Sequence, residues 1–275
     1  MSQIPSLRLN NGTEMPQLGF GVFQIAPEEV MLPVLSAIDA GYRLIDTAAG
    51  YGNEEGVGRA LQESGVAREQ FFVTTKLTND EHGYDRALRA FDGSLSKLGL
   101  DYIDLYLIHW PAPAKDLYVE TWRALEKIHN DGRARSIGVS NFTESHLRRL
   151  IDESGTVPAV NQVELHPRFV QSSLREFHAK HGIATEAWAP IGQGKGLLED
   201  PAVREIAGRY AKSPAQVVLR WHIQLGNVTI PKSSTPTRIR SNADIFDFEL
   251  TKSDVERLTE LGPPERIGPD PDTFN

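Results

Sequence analysis

Four side chains with complementary acid–base chemistry stand at or just beyond the ends of three short apolar runs. The run Tyr42-Arg43-Leu44-Ile45 finishes on Asp46, and a phenol, Tyr51, follows in the next loop. The run Phe71-Phe72-Val73-Thr74-Thr75 finishes on Lys76, and Leu105-Tyr106-Leu107-Ile108 finishes on His109. A phenol titrates near ~10 in water and is a poor acid at neutral pH. An adjacent ammonium favours the phenolate and draws that pKa down. Lys76 is suited to that task, and Asp46 can supply the counter-charge that a buried lysine needs. His109 can donate a hydrogen bond to a carbonyl oxygen and orient it. The set would offer a proton donor and oxyanion support to a carbonyl that receives a hydride. Each residue also has an ordinary reading. Asp46 could cap a helix, Tyr51 could be a packed aromatic, Lys76 a solvated cation, and His109 a core histidine ahead of Trp110-Pro111. Their shared position at successive run ends favours the joint reading over four coincidences.

The elements that must hold these groups alternate along the chain. A hairpin is expected first, Leu7-Arg8-Leu9 and Glu14-Met15-Pro16 around Gly12,. Strands then read at Gly19–Val22, Tyr42–Thr47, Phe71–Lys76, Asp104–His109, Arg135–Ser140, Ala159–Leu165, Ile183–Ala189 and Val228–Ile230. Helices between them follow from apolar spacing, as with Val30, Val34 and Ile38 within Pro27–Ala40,. Asn53 is expected to cap a helix through Val57 and Leu61, Thr143 to cap the next but two, and Ser213-Pro214 to form an N-cap and first helical residue,. Further helices are expected at Ile239–Phe246 and Ser253–Leu261, and then an extended proline-rich tail from Gly262 to Asn275.

Eight strand–helix units without a composition break predict one domain over residues 1–275, a (β/α)8 TIM barrel,. It would carry a short N-terminal β-hairpin and an extra C-terminal helix and tail. A doubly wound sheet is the competing fold, but the dinucleotide fingerprint it would offer is missing: Gly19-Phe20-Gly21 lacks the third glycine,.

Composition narrows the function further. A net charge of -8 disfavours nucleic-acid binding, which depends on neutralising phosphates,. With no cysteine there is no disulfide, thiolate nucleophile or cysteine-held metal,. No apolar run is long enough for a membrane span, and Met1–Asn10 does not resemble a leader, so a cytoplasmic protein is expected,. Two histidine groupings invite a metal reading: His178 with His181, and Glu164 with His166. Neither has the further ligands that would complete a site, and the expectation is that no metal binds.

The stretch Gly41–Gly58, the Lys76 strand end, Leu107-Ile108-His109-Trp110-Pro111, Arg135–Phe142 and Ile230-Pro231-Lys232-Ser233 together resemble the aldo-keto reductases, from about Leu7 to Phe248. Within the family the likeness is to the bacterial 2,5-diketo-D-gluconate reductase-like enzymes. The resemblance implies a barrel that binds NADPH without a Rossmann domain, uses Asp46, Tyr51, Lys76 and His109 as a tetrad, and moves the 4-pro-R hydride. It also implies roles for the later strand ends. Ser140, Asn141 and Gln162 would bond the nicotinamide carboxamide, and Trp188 would stack on the ring. The loop Ala189–Gly196, with Pro190, Ile191, Gln193 and Gly194, would cover the pyrophosphate. Lys232, Ser233 and Arg238 would hold the 2′-phosphate and Asn242 the adenine. Ser241 departs from the glutamate often found before that asparagine. On the substrate side the expected walls are Phe23 and Trp110, with Tyr51. Thr78 stands where close relatives carry an aromatic residue. The implied activity is reduction of an aldehyde or ketone by a monomer. Two rivals remain: an NADPH-binding sensor or docking protein with slow chemistry, and an isomerase or aldolase using Lys76 as a Schiff base.

Overall fold

Short apolar strands alternate with amphipathic helices, and parallel pairing of the strands closes them into a ring. The structure is a computed structural model that describes residues 4–275. Met1–Gln3, the start of the segment inspected for a leader, lie outside the described residues. A hairpin comes first, β1 (Ser6–Arg8) antiparallel to β2 (Glu14–Pro16). The ring strands are β3 (Gly19–Gly21), β4 (Leu44–Asp46), β5 (Phe72–Leu77), β6 (Ile103–Ile108), β7 (Ala134–Ser140), β8 (Val160–Glu164), β9 (Ala184–Trp188) and β10 (Val228–Thr229). Each pairs in parallel with its neighbour in sequence order. The ring is completed between β10 and β3 by a Leu18–Thr229 bridge and by the Gly21 N–H donating to Pro231 O at 3.2 Å. The expected (β/α)8 barrel is therefore the observed one, with strand limits shifted by a residue or two.

Two cores follow from the alternation of side chains along each strand. Leu44, Phe72, Leu105, Leu107, Val160 and Val228 fill the barrel interior, and the hairpin's Leu9 and Met15 pack into the same cluster. Asn11 Nδ2 donates to Arg135 O and Ser136 Oγ, both at 2.9 Å, so the hairpin is tied across the barrel floor. The outward residues meet the helices α1 (Met31–Asp39), α2 (Glu54–Glu63), α3 (Tyr84–Leu98), α4 (Tyr118–Asn130), α5 (Glu144–Ser154), α6 (Ser172–His181), α7 (Pro201–Tyr210) and α8 (Pro214–Gln224). Two further helices, α9 (Pro236–Ala243) and α10 (Lys252–Thr259), precede the tail. None of the described helices is long and apolar enough to cross a membrane.

Most helix starts obey their local signals. Ser213 Oγ accepts the Gln216 N–H at 3.3 Å, the Gln216 side chain accepts the Ser213 N–H at 3.0 Å, and Pro214 opens α8,. His146 Nδ1 accepts the Thr143 N–H at the start of α5. Three expectations need correction, the first being the helix expected at Ile239–Phe246, which opens earlier on Pro236 and ends at Ala243,. Residues 27–30 form a separate turn, with the Glu29 N–H on Ala26 O, and α1 begins only at Met31. Asn53 precedes α2 but makes no side-chain cap. Its amide instead donates to Val22 O and Ile25 O, both at 3.1 Å, and its oxygen accepts from Thr47 Oγ1 at 2.8 Å. Asn53 is itself wholly buried, and its amide pins the loop after β3 to the entry of α2 instead of capping that helix,.

Candidate active site

The C-terminal ends of β4, β5 and β6 deliver Asp46, Lys76 and His109 to one mouth of the barrel. Tyr51 joins them from a single 3-10 turn, Ala49–Tyr51, that follows β4. Lys76 is wholly buried, and its three N–H groups are all engaged,. They reach Asp46 Oδ1 at 2.6 Å, Thr47 O at 2.8 Å and Tyr51 Oη at 3.4 Å. Burial lowers the Lys76 pKa, but Asp46 and Tyr51 outweigh it, and the pKa lies above the usual lysine value. The four expected residues are therefore brought together.

Their electrostatics differ from the simple expectation at Tyr51. Burial raises the phenol's pKa, Lys76 lowers it, and the net result is above the ordinary value. Tyr51 stays a protonated donor through the neutral range instead of being poised near it. His109 is held down to about 3 by burial and by the Lys76 charge. At neutral pH it is an uncharged imidazole with one N–H to offer. Its ring meets Tyr51 edge-on at 5.6 Å.

A second group forms where β7, β8 and β9 end. Ser140 Oγ donates to Gln162 O at 2.8 Å, and Asn141 Nδ2 donates to His109 O at 3.0 Å. Asn141 has φ 62, a left-handed geometry that asparagine tolerates, and its Oδ1 accepts from Trp188 Nε1 at 2.7 Å,. Neither Ser140 nor Asn141 caps a helix. Gln162 Nε2 reaches back to Asp46 Oδ2 at 2.8 Å, which ties this group to the tetrad. The loop after β9 is a run of left-handed residues: Ala189 (φ 50), Gly192 (φ 73), Gln193 (φ 49) and Gly194 (φ 71). At Gly192 a side chain would also lie 2.9 Å from Leu197 Cβ, so glycine is required twice over,. Pro190 O lies 3.1 Å from His222 Nε2, which anchors the loop's base, while Ile191 is partly buried among the apolar residues of the outer layer.

Past β10, Lys232 and Arg238 are exposed, and Ser233 Oγ accepts the Thr235 N–H at 3.1 Å. Ser241 and Asn242 lie in the last turn of α9, Asn242 buried. On the other side of the mouth, Phe23 is 47% exposed and packs 5.0 Å from Tyr51. Thr78 leaves β5 beside Gly50, where an added Cβ would sit 3.3 Å from Thr78 Cγ2.

Two features went unread in the sequence. The proline-rich tail is not a free extension. Ile267 and Gly268 donate their N–H groups to Glu164 at 2.6 and 2.7 Å, and Phe274 packs 4.6 Å from Trp110. At Gly268 a Cβ would fall 2.5 Å from Trp188 Cη2, so only glycine fits between that ring and Glu164. Glu164 and His166 do meet, at 3.0 Å, with the carboxylate serving the tail. His178 is occupied by Asn161 and Thr185, both at 2.9 Å. Buried Glu186 also went unread, although an acid inside an apolar strand was the same signal that singled out Asp46.

Known proteins resemble the chain throughout. The model of the Aldo/keto reductase family matches residues 12–263. Methylglyoxal reductase DkgA of Escherichia coli (strain K12) is 51% identical, the match covering 98% of this chain and 97% of that one. The crystal structure of an aldo/keto reductase from Brucella melitensis is 58% identical and superposes with a TM-score of 0.91, covering 94% of this chain and all (100%) of that one. A variant of Gox0644 in complex with NADPH is 46% identical with a TM-score of 0.95, at 100% coverage of both chains.

Proposed function

This chain belongs to the aldo/keto reductase family, and from that premise and the site's geometry we propose that it reduces small aldehydes and ketones to alcohols with NADPH. The observation that carries the reading is the protonated Tyr51 hydroxyl 3.4 Å from Lys76 Nζ. The residues present suit the cofactor. Two exposed cations, Lys232 and Arg238, lie near Ser233 in sequence and suit the dianionic 2′-phosphate that distinguishes NADPH,. The left-handed residues of the loop Ala189–Gly194 give a glycine-rich backbone that a pyrophosphate can approach closely,. Ser140, Asn141 and Gln162 supply amide and hydroxyl groups for a carboxamide, Trp188 a flat face for the ring, and Asn242 a contact for adenine. NADPH, when bound, supplies the hydride that the carbonyl carbon accepts.

The chain's own part is positional and acidic. His109, neutral, donates to the carbonyl oxygen and orients it toward Tyr51. Tyr51 gives its proton to that oxygen as negative charge develops there. Lys76 stabilises the phenolate that results, and Asp46 holds Lys76 in place through the 2.6 Å pair. Phe23, Trp110 and the low wall at Thr78 border the carbonyl's substituents. The DkgA name offers methylglyoxal, a compact dicarbonyl, as the first substrate to try. The Schiff-base alternative is disfavoured because every donor of Lys76 is engaged and its proton is held. The working form in this reading is one domain spanning the chain, acting as a cytoplasmic monomer on small molecules.

Tyr51→Phe tests the assignment. The expected result is a loss of at least ~10²-fold in kcat for methylglyoxal reduction, with NADPH affinity within about twofold. Unchanged turnover would remove Tyr51 as the acid, and with it the mechanism.

A further inference from the structure

The scheme above leaves one carboxyl group of the barrel interior without a task. Glu186 lies on β9 in register with Gln162 on β8, so the two side chains share the inner face. It is fully buried. Its Oε2 accepts from Gln162 Nε2 at 2.9 Å, and its Oε1 has no hydrogen-bond partner among the described residues. The same Gln162 nitrogen donates to Asp46 Oδ2 at 2.8 Å.

A primary amide nitrogen has two N–H groups, and here both are spent on carboxyl oxygens. The amide cannot turn over without setting its own carbonyl against the Asp46 carboxylate and giving up the N–H bond to Glu186. Its Oε1 is thereby committed to whatever enters the mouth, as an acceptor only. A carboxamide NH2 is a complementary partner for it.

The charges divide unequally between the two acids. Asp46 has an ammonium at 2.6 Å, whereas Glu186 has one neutral donor and a bare oxygen. An ionised carboxylate so placed is costly, and the neutral acid is the cheaper form. Burial pushes Glu186 up from the ordinary carboxylate range to about 8, and the Asp46 charge pushes the same way, against the Gln162 bond and Lys76. The charged and titratable groups that bear on it are Asp46 from β4, Tyr51 from the following turn and Lys76 from β5. Gln162 on β8 and Val228 on β10, its register neighbours, are uncharged.

We propose that Glu186 is a positioning residue of the reductase: as the neutral acid it locks the Gln162 amide, so that the Gln162 carbonyl meets the nicotinamide carboxamide and Asp46 alone faces Lys76 with negative charge. The role rests on the reductase reading, and acts through Gln162 without contact to substrate.

Two variants separate locking from mere packing. Glu186→Gln keeps an acceptor for Gln162 and cannot titrate; Glu186→Leu removes the acceptor. NADPH binding is measured by its fluorescence at neutral pH, with folding checked by circular dichroism. Glu186→Leu should bind about tenfold more weakly and Glu186→Gln within about threefold of the parent. Equal affinity for all three, or an equal loss in both variants, overturns the lock. Infrared spectra of the cofactor-free protein provide a measurement that does not depend on the Leu variant folding. The parent should show a buried neutral carboxyl band that fades as pH rises through about 8 and that is missing from Glu186→Gln. No such band at neutral pH overturns the neutral-acid assignment. Both readouts are free of turnover, so failure here leaves Tyr51→Phe to judge the reductase reading separately.

Discussion

The two poles of the mouth are built in opposite ways. At the tetrad, Lys76 is wholly buried with every donor engaged, and Asp46 is bonded on both oxygens, by Lys76 and by Gln162. At the β10 end, Lys232 and Arg238 are exposed on a loop and the start of a helix. The first pole is finished before any ligand arrives; the second presents its charge to solvent. Chemistry benefits from groups that need not move as charge develops. Grip on a phosphate tolerates mobile cations, because Coulomb attraction is long-ranged and undemanding in direction. Damage at the first pole should therefore reach folding as well as catalysis, while damage at the second should touch affinity alone.

The largest effect expected from this contrast is at Lys76. Lys76→Met strands the buried Asp46 charge, so stability should fall by about 3–5 kcal/mol in urea unfolding, and kcat by about 10²–10⁴-fold. Adding Asp46→Asn should return much of the stability and none of the activity. If the single variant is as stable as the parent, the first pole is not the prebuilt unit described.

At the second pole, Lys232→Ala or Arg238→Ala should weaken NADPH about 10–100-fold while leaving NADH nearly unchanged. Thermal midpoints should stay with the parent. Equal losses for the two cofactors would detach these cations from the 2′-phosphate.

The smallest expected effect lies between the poles, at the tail. The carboxyl of Glu164 is raised by burial, but His166 and the Ile267 and Gly268 N–H groups outweigh this and hold its pKa below the ordinary value. A depressed carboxyl pKa adds stability above the unfolded-chain value and loses it as pH falls through the folded one. Tail amides should accordingly lose protection, giving fast exchange relative to their intrinsic rates, on acidification below ~4.5. Glu164→Gln should show the fast exchange already at neutral pH, with little change in midpoint. Hydrogen exchange that is insensitive to both would mean that Glu164 does not hold the tail.

What the sequence disclosed depended on how local the cause was. Asp46, Lys76 and His109 were legible because a titratable group ending an apolar strand is improbable without a polar destination. Ser213-Pro214 and Thr143 were legible because a cap answers to residues within one turn. Asn53 misled because its acceptors, Val22 O and Ile25 O, lie far back in the chain and outbid the adjacent helix. The tail's course was illegible for the same reason. Proline content predicts extension, but the path is set by Glu164, more than ~100 residues earlier, and by a tilted aromatic contact at Trp110,. Tyr51 shows a different limit: its neighbours were identified, yet the sign of its shift depended on a depth of burial that no spacing conveys.

The hairpin laid across the barrel floor has a further consequence, for traffic. With Leu9 and Met15 packed into the interior cluster, that end is stopped, and everything that visits the tetrad must use the other. A chamber with one doorway imposes a sequence on its guests. With the nicotinamide placed against Gln162 and Trp188 as proposed, the cofactor would come in first and go out last, after the alcohol. In the proposed reading the order of binding follows from the single doorway and from the depth at which each ligand lies.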